Sequence, residues 1–250
     1  MKELINVKSR IDSFDIDVFI PDGWDEKKLM ICHHGFNSGK NSETYLIIGN
    51  KFLEKGIAYA IFSLPYHAER RGDYNDFTVA NCIEDCELAE KAIREKFPYT
   101  KIGILGTSFG GYLSLLRIQK YHHDYFAIIL KSPAIKMDEI LKTIIGQEMF
   151  EFFKKQGFGV NDKKETPMRI NFSFYEELSE NRVMDNPKYD EEIRIYHGNI
   201  DDTAPYKDSA ELASLNENIN LITYENENHK FSSEILNEFS EDVANYCLSK

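Results

Sequence analysis

The chain has 250 residues, with 42 acidic against 30 basic side chains and a net charge of −12. That length accommodates one large domain, or one domain with a modest insertion, and the acidic balance argues against a nucleic-acid binder, which needs a basic face for phosphates. Phe, Tyr and Trp make up 13% of the residues, which fits a globular chain and not a disordered one.

The N-terminal Met1-Lys2-Glu3-Leu4-Ile5-Asn6-Val7 lacks the apolar core of a secretory signal. No run reaches the roughly 18 apolar residues of a membrane span, so the expected setting is the cytoplasm, with reduced thiols and no membrane partner. Strands are expected at 3–9, 13–20, 28–33, 57–63, 101–106, 126–131, 192–197 and 219–224, and helices at 43–55, 78–97, 109–121, 205–215 and 231–248. The first two strands have no helix between them and should form an antiparallel hairpin at the sheet edge. Strands and helices then alternate, and runs such as Ile57-Ala58-Tyr59-Ala60-Ile61-Phe62 are apolar on both faces. The expected class is α/β: a doubly wound, mostly parallel sheet of about eight strands. Cys82 and Cys86 stand four apart, a spacing open to a metal. They continue with Ala89, Ile93 and Phe97 into one apolar helical stripe, so they are read as core.

Between Leu130 and Ile193 lie about 60 residues, too many for a crossover loop. The expected organisation is a core of residues 1–133 and 191–250 with an inserted cap subdomain at 134–190. Leu141, Ile145, Met149 and Phe153 recur every fourth position, which predicts one helix with an apolar face. Phe150, Phe152, Phe153, Phe158, Phe172, Phe174 and Tyr175 crowd the same insertion. Some should pack it onto the core, and others should line an apolar acyl or aryl pocket.

The stretch Gly106-Thr107-Ser108-Phe109-Gly110 is a G-x-S-x-G element between a predicted strand and a predicted helix. That context makes a sharp turn that lifts the serine clear of the sheet, with glycines where side chains would strike the neighbouring backbone. A serine hydroxyl needs a base. His229 is the candidate, in the polar loop between the last strand and last helix. His33, His34 and His197 are read as loop-fixing hydrogen-bonders at strand ends, His67 as a loop residue, and His122 and His123 as solvated. The orienting acid is expected after the preceding strand, where Asp201 is first choice and Asp202 the fallback. The order Ser, Asp, His is that of α/β-hydrolases, not of the chymotrypsin or subtilisin folds. Acyl transfer also needs two N–H donors for the developing oxyanion. The backbone amides of Phe109 and of Phe36, in His34-Gly35-Phe36, are the candidates.

With these motifs the chain resembles the α/β-hydrolases over nearly its whole length. His197-Gly198 through Asp201 to Pro205 is similar to the family's H-G-x-x-D-x-x-V-P pattern, which implies Asp201 as the acid; Ala204 stands where Val is usual, and Asn228 where Gly usually precedes the histidine. Within the superfamily the chain is most similar to the feruloyl (cinnamoyl) esterase-like branch, with a similar H-G-F loop and a similar insertion. That branch often carries Gln after the serine, where this chain has Phe109, a change of pocket wall only. Its members recognise a phenolic ring through polar groups of the insertion, and the nearest matching positions are Asp138 and Tyr175.

The resemblance implies a serine ester hydrolase with a small-molecule ester substrate, hydroxycinnamoyl esters among the candidates, and no cofactor or metal. A serine peptidase or acyl-peptide hydrolase is the alternative, with Asp138 as an anchor for a substrate amine. A catalytically silent binding protein on the same fold is the non-enzyme alternative. Dehalogenase and epoxide hydrolase chemistry is disfavoured because the elbow carries Ser, not Asp.

Overall fold

Two N-terminal strands, β1 (Lys2–Lys8) and β2 (Ser13–Phe19), pair antiparallel. The remaining core runs β3 (Lys28–His33), α1 (Glu43–Glu54), β4 (Ala58–Ile61), α2 (Val79–Lys96), β5 (Lys101–Thr107), α3 (Phe109–Lys120) and β6 (Ile128–Lys131). The segment before the next core strand holds α4 (Met137–Ile145), α5 (Gln147–Gln156), the hairpin β7 (Phe158–Asn161) and β8 (Met168–Asn171), and α6 (Phe172–Glu180). The core closes with β9 (Ile193–Gly198), α7 (Tyr206–Ser214), β10 (Ile219–Tyr224) and α8 (Ser233–Ser249). The computed structural model describes residues 1–25, 27–121, 124–161 and 168–250; His122 and His123 lie outside them.

Eight strands form one sheet in the order β1-β2-β4-β3-β5-β6-β9-β10. β2 meets β4 antiparallel, and every pairing from β4 to β10 is parallel. The core is the α/β, mostly parallel, doubly wound sheet that the sequence predicts, with its hairpin at the edge.

Alternation along the strands sorts their side chains onto two faces. Leu29, Ile31, Ile102, Ile104, Ile128, Leu130, Ile193 and Ile195 join the cluster that also holds buried residues of α2, α3 and α7. Met30, Cys32, Leu105, Ile129 and Tyr196 join the other, with Tyr45, Ile48 and Phe52 of α1 and Phe239 and Val243 of α8. Burial on both faces is why these strands read as unbroken apolar runs. Cys82, Cys86, Ala89 and Ile93 are fully buried on α2, and all four cysteines are free. No described helix is long and apolar enough to cross a membrane.

One expectation fails. The helix predicted through Leu141, Ile145, Met149 and Phe153 is two helices, divided at Gly146. Gly146 takes φ +82°, ψ 150°, outside the helical region and costly for any residue with a Cβ. The hairpin β7–β8 was not foreseen.

Candidate active site

The parallel register brings the C-terminal ends of five strands to one edge of the sheet. His33 pairs with Gly106, Thr107 with Lys131, Lys131 with Tyr196, and Gly198 with Tyr224. The loops that follow therefore gather residues 34–37, Ser108, Asp201 and His229 at the same place, as open α/β sheets do for ligands.

Ser108 joins β5 to α3 with φ +53° and ψ −115°, a conformation that non-glycine residues rarely hold. Its amide donates to Lys131 O at 3.0 Å, and its carbonyl accepts from Tyr112 and Ala134. The elbow glycines have a steric cause. A Cβ on Gly110 would stand 2.0 Å from His33 O, and one on Gly106 would stand 2.7 Å from Gly110 O.

Ser108, His229 and Asp201 form one hydrogen-bonded chain. His229 Nε2 lies 3.0 Å from Ser108 Oγ, and its Nδ1 lies 2.7 Å from Asp201 Oδ2. With Nδ1 protonated toward the carboxylate, Nε2 is free to accept the serine proton. The Asp201 side chain is fully buried, while that of His229 keeps 18% exposure, so the imidazole is reachable and the acid is not. Asp201 Oδ1 accepts from the amides of Thr203 and Ala204, both at 2.8 Å. Burial opposes ionisation of Asp201, but donation from His197 and His229 outweighs it and holds the carboxyl well below the usual carboxylate range. Asp202 is exposed, and its side chain accepts from the Thr203 hydroxyl at 3.3 Å.

The other described histidines are locked in place. His33 Nδ1 meets Ser114 Oγ at 2.9 Å, and His34 Nε2 accepts from Leu64 N at 2.9 Å. Burial pushes them down to about 3 and about 4 respectively, and it pushes His67 well below the ordinary imidazole value. His197 Nε2 lies 3.0 Å from Asp201 Oδ2 while its Nδ1 meets Ser209 Oγ at 2.8 Å. It is a loop-fixing residue as expected. Its partner was not anticipated, although the four-residue spacing from His197 to Asp201 is its trace in the sequence.

Gly35 lies directly against Ser108: a Cβ there would stand 3.2 Å from Ser108 Cβ. The Phe36 amide is thus one residue from the serine. Phe109 opens α3, so its N–H has no carbonyl one turn back to bond. Beyond Phe36 opens a cavity of about 410 Å³ between the core and the α4–β8 segment. Phe36, Leu141, Ile145, Phe152, Phe153 and Ile170 are among its walls, and no polar side chain lines it among the described residues.

The crowded aromatics divide between contacts with the core and the wall of the cavity. Phe174 is buried with Phe77, Phe109 and Phe36, centroids 4.3 to 6.4 Å apart, and ties α6 to the core. Phe152, Phe153 and Phe158 face the cavity. Tyr175 packs edge-on against Phe150 at 4.6 Å and at a 34° tilt against Phe172 at 5.4 Å. Asp138 is 4% exposed, and its carboxylate accepts from Arg182 Nε at 2.9 Å. Neither contact set joins the Ser108–His229–Asp201 chain.

Lys131 is a site residue the sequence reading missed. It is 1% exposed and donates from Nζ to the His229 carbonyl at 2.8 Å. Its only signal was a lysine closing the apolar run Phe126-Ala127-Ile128-Ile129-Leu130.

Comparison with known proteins agrees with the fold. Est1E from Butyrivibrio proteoclasticus, solved with ferulic acid bound, is 20% identical with a TM-score of 0.84 over 98% of this chain and 100% of that one. Mouse alpha/beta hydrolase domain-containing protein 10 is 16% identical with a TM-score of 0.79 over 99% of both chains. The Pyrococcus furiosus esterase Pf2001 is 15% identical, with a TM-score of 0.73 over 100% of this chain and 90% of that one. No curated protein sequence matches the chain. The sequence model of the prolyl oligopeptidase family matches residues 62–247. With most of its length matched, the chain belongs to the prolyl oligopeptidase family and is a hydrolase built on the α/β-hydrolase fold.

Proposed function

We propose that the protein is a serine ester hydrolase that works through an acyl-enzyme, with residues 134–190 as the cap of its acyl site. The observation that carries this reading is the hydrogen-bonded chain from Ser108 Oγ through His229 to Asp201. Ser108 Oγ attacks the ester carbonyl as His229 Nε2 takes its proton. The oxyanion is met by the Phe36 and Phe109 amides, each such donor being worth about 2.7–4 kcal/mol of barrier. The intermediate collapses, the C–O bond to the alcohol breaks, and His229 returns the proton to the leaving oxygen. Water, deprotonated by His229, then attacks the acyl-enzyme and releases the acid and Ser108. Asp201 keeps Nδ1 protonated and stabilises the imidazolium. Ser108→Ala should abolish hydrolysis of a p-nitrophenyl ester; retained turnover sinks the reading.

The apolar cavity beside Phe36 favours an aliphatic or plain aryl acyl group. Est1E binds ferulic acid, which makes a hydroxycinnamoyl ester the competing substrate. Its phenol hydroxyl would need a partner, and burying one unpaired costs about 1–3 kcal/mol. Asp138 and Tyr175 would be the residues to supply it, and the Asp138 carboxylate is committed to Arg182. Higher kcat/KM for feruloyl than for octanoyl esters, lost in Tyr175→Phe or Asp138→Asn, would restore the hydroxycinnamoyl reading.

The family match favours a second reading, a peptidase. An aminopeptidase-type site needs a free carboxylate for the substrate amine, and Asp138 is the residue weighed for that part. Aminoacyl nitroanilides cleaved faster than matched esters would establish this reading in place of the first.

A further inference from the structure

Lys131 sits where an ammonium is costly. It ends β6 with its side chain buried, and lysine is almost never found so enclosed. Its hydrogen-bond partner is a peptide carbonyl, not a carboxylate. Replacing a buried charge by an apolar side chain of similar volume is often neutral or stabilising. Stability alone therefore does not account for this lysine.

Its contacts are specific. The Lys131 carbonyl accepts the amide of Ser108 at 3.0 Å, and its Nζ donates to the carbonyl of His229 at 2.8 Å. Nζ also stands 3.7 Å from the ring centroid of Phe231, whose backbone holds φ +64°. One residue thus grips the backbone of both the serine and the imidazole, which are 121 positions apart in the chain.

We propose that Lys131 is a positioning residue that sets the distance between Ser108 and His229, its ammonium clamping the His229 loop onto the end of β6. The inference rests on Ser108 and His229 being nucleophile and base. The groups around the ammonium come from every neighbouring element. Thr107 on β5 and Tyr196 on β9 flank it in register, and Asp201 follows β9. Glu227, His229 and Phe231 lie in the loop before α8. Burial pushes the ammonium down to about 7, with Asp201 and Glu227 opposing the shift only in part. The clamp is therefore charged on the acid side of neutrality and weakens above it. Loss of the proton removes the cation from the Phe231 face and leaves a weaker neutral donor to His229.

The test uses wild type, Lys131→Met, Lys131→Gln and Ser108→Ala with p-nitrophenyl butyrate across pH, and measures the rate of fluorophosphonate labelling. Lys131→Met should lower kcat about 10- to 100-fold with KM changed less than about twofold, as expected when a reacting group is misplaced by a fraction of an ångström. Labelling should slow in parallel. The fall in kcat on the alkaline side, present in wild type, should be absent from Lys131→Met. Lys131→Gln, which keeps a neutral donor, should recover part of kcat without the alkaline fall, and it carries the test if the methionine variant does not fold. Lysine variants with wild-type kcat, or with the wild-type alkaline fall, overturn the proposal while Ser108 remains the nucleophile. Wild type that neither labels nor hydrolyses, or Ser108→Ala that retains activity, overturns both readings.

Discussion

His197 and His229 converge on a single oxygen, Oδ2 of Asp201, at 3.0 and 2.7 Å. The carboxylate is thus held by a second imidazole buried beneath the first, and by two backbone amides on its other oxygen. Removing the inner imidazole leaves Asp201 buried with one donor fewer. A hydrogen bond to a charged group contributes about 1.5–3 kcal/mol. His197→Ala should lower thermal stability by that order and reduce kcat about tenfold, because the acid is less firmly held. Calorimetry and ester turnover on the same preparation check both; unchanged values for both would show the contact to be idle.

Asp201 and Asp202 are adjacent in sequence and opposite in environment, which makes them a sharp pair. Asp201→Asn should cost about 10⁴-fold in kcat, since an amide cannot hold Nδ1 protonated in the required tautomer. Asp202→Asn should stay within about twofold of wild type. Equal effects at the two positions would reverse the assignment of the acid.

The cavity next to Phe36 makes a prediction about chain length. Each methylene buried contributes about 0.8 kcal/mol, or roughly fourfold in kcat/KM. A series of p-nitrophenyl esters from acetyl upward should climb by about that factor per carbon until the space is full. Ile145→Trp, on the wall, should lower the ratio of octanoyl to acetyl hydrolysis with little change for acetyl. A flat series would place the acyl chain elsewhere.

Lys131 also predicts a stability profile of defined sign. Between about pH 7, where the buried amine titrates, and about 10.4, where an unfolded lysine does, the unfolded chain binds a proton that the native one lacks. Wild-type stability therefore rises with pH through that window. Below it the full cost of burying the ammonium is present. Lys131→Met should be more stable than wild type at pH 6 by about 1–4 kcal/mol, at about 2–4 °C per kcal/mol, and the gap should close toward pH 10. Melting curves across pH decide it. A variant less stable than wild type at pH 6 would mean that the lysine serves the fold.

The elbow and the sheet were legible because each leaves a short pattern in the sequence. Gly106 and Gly110 are demanded by atoms a few bonds or one strand away, and strands buried on two faces announce themselves as apolar runs. The convergence of His229 and Asp201 on Ser108 was legible through loop position and chain order. Two other features were not. The stripe Leu141, Ile145, Met149, Phe153 keeps its phase across Gly146, so periodicity reports the apolar face without reporting the break. The bond from Lys131 to His229 spans 98 residues; no spacing rule encodes such a contact, and only the packed register creates it.

Gly146 joins α4, which carries Leu141 and Ile145, to α5, which carries Phe152 and Phe153, and all four side chains border one chamber. The span of that chamber follows from the angle at a single glycine as well as from the size of its walls. On the proposed ester hydrolase reading, changes at this joint would retune which acyl lengths fit while the strand edge beneath Ser108 stays untouched. That reading puts specificity and chemistry on different parts of the chain, each free to diverge without the other.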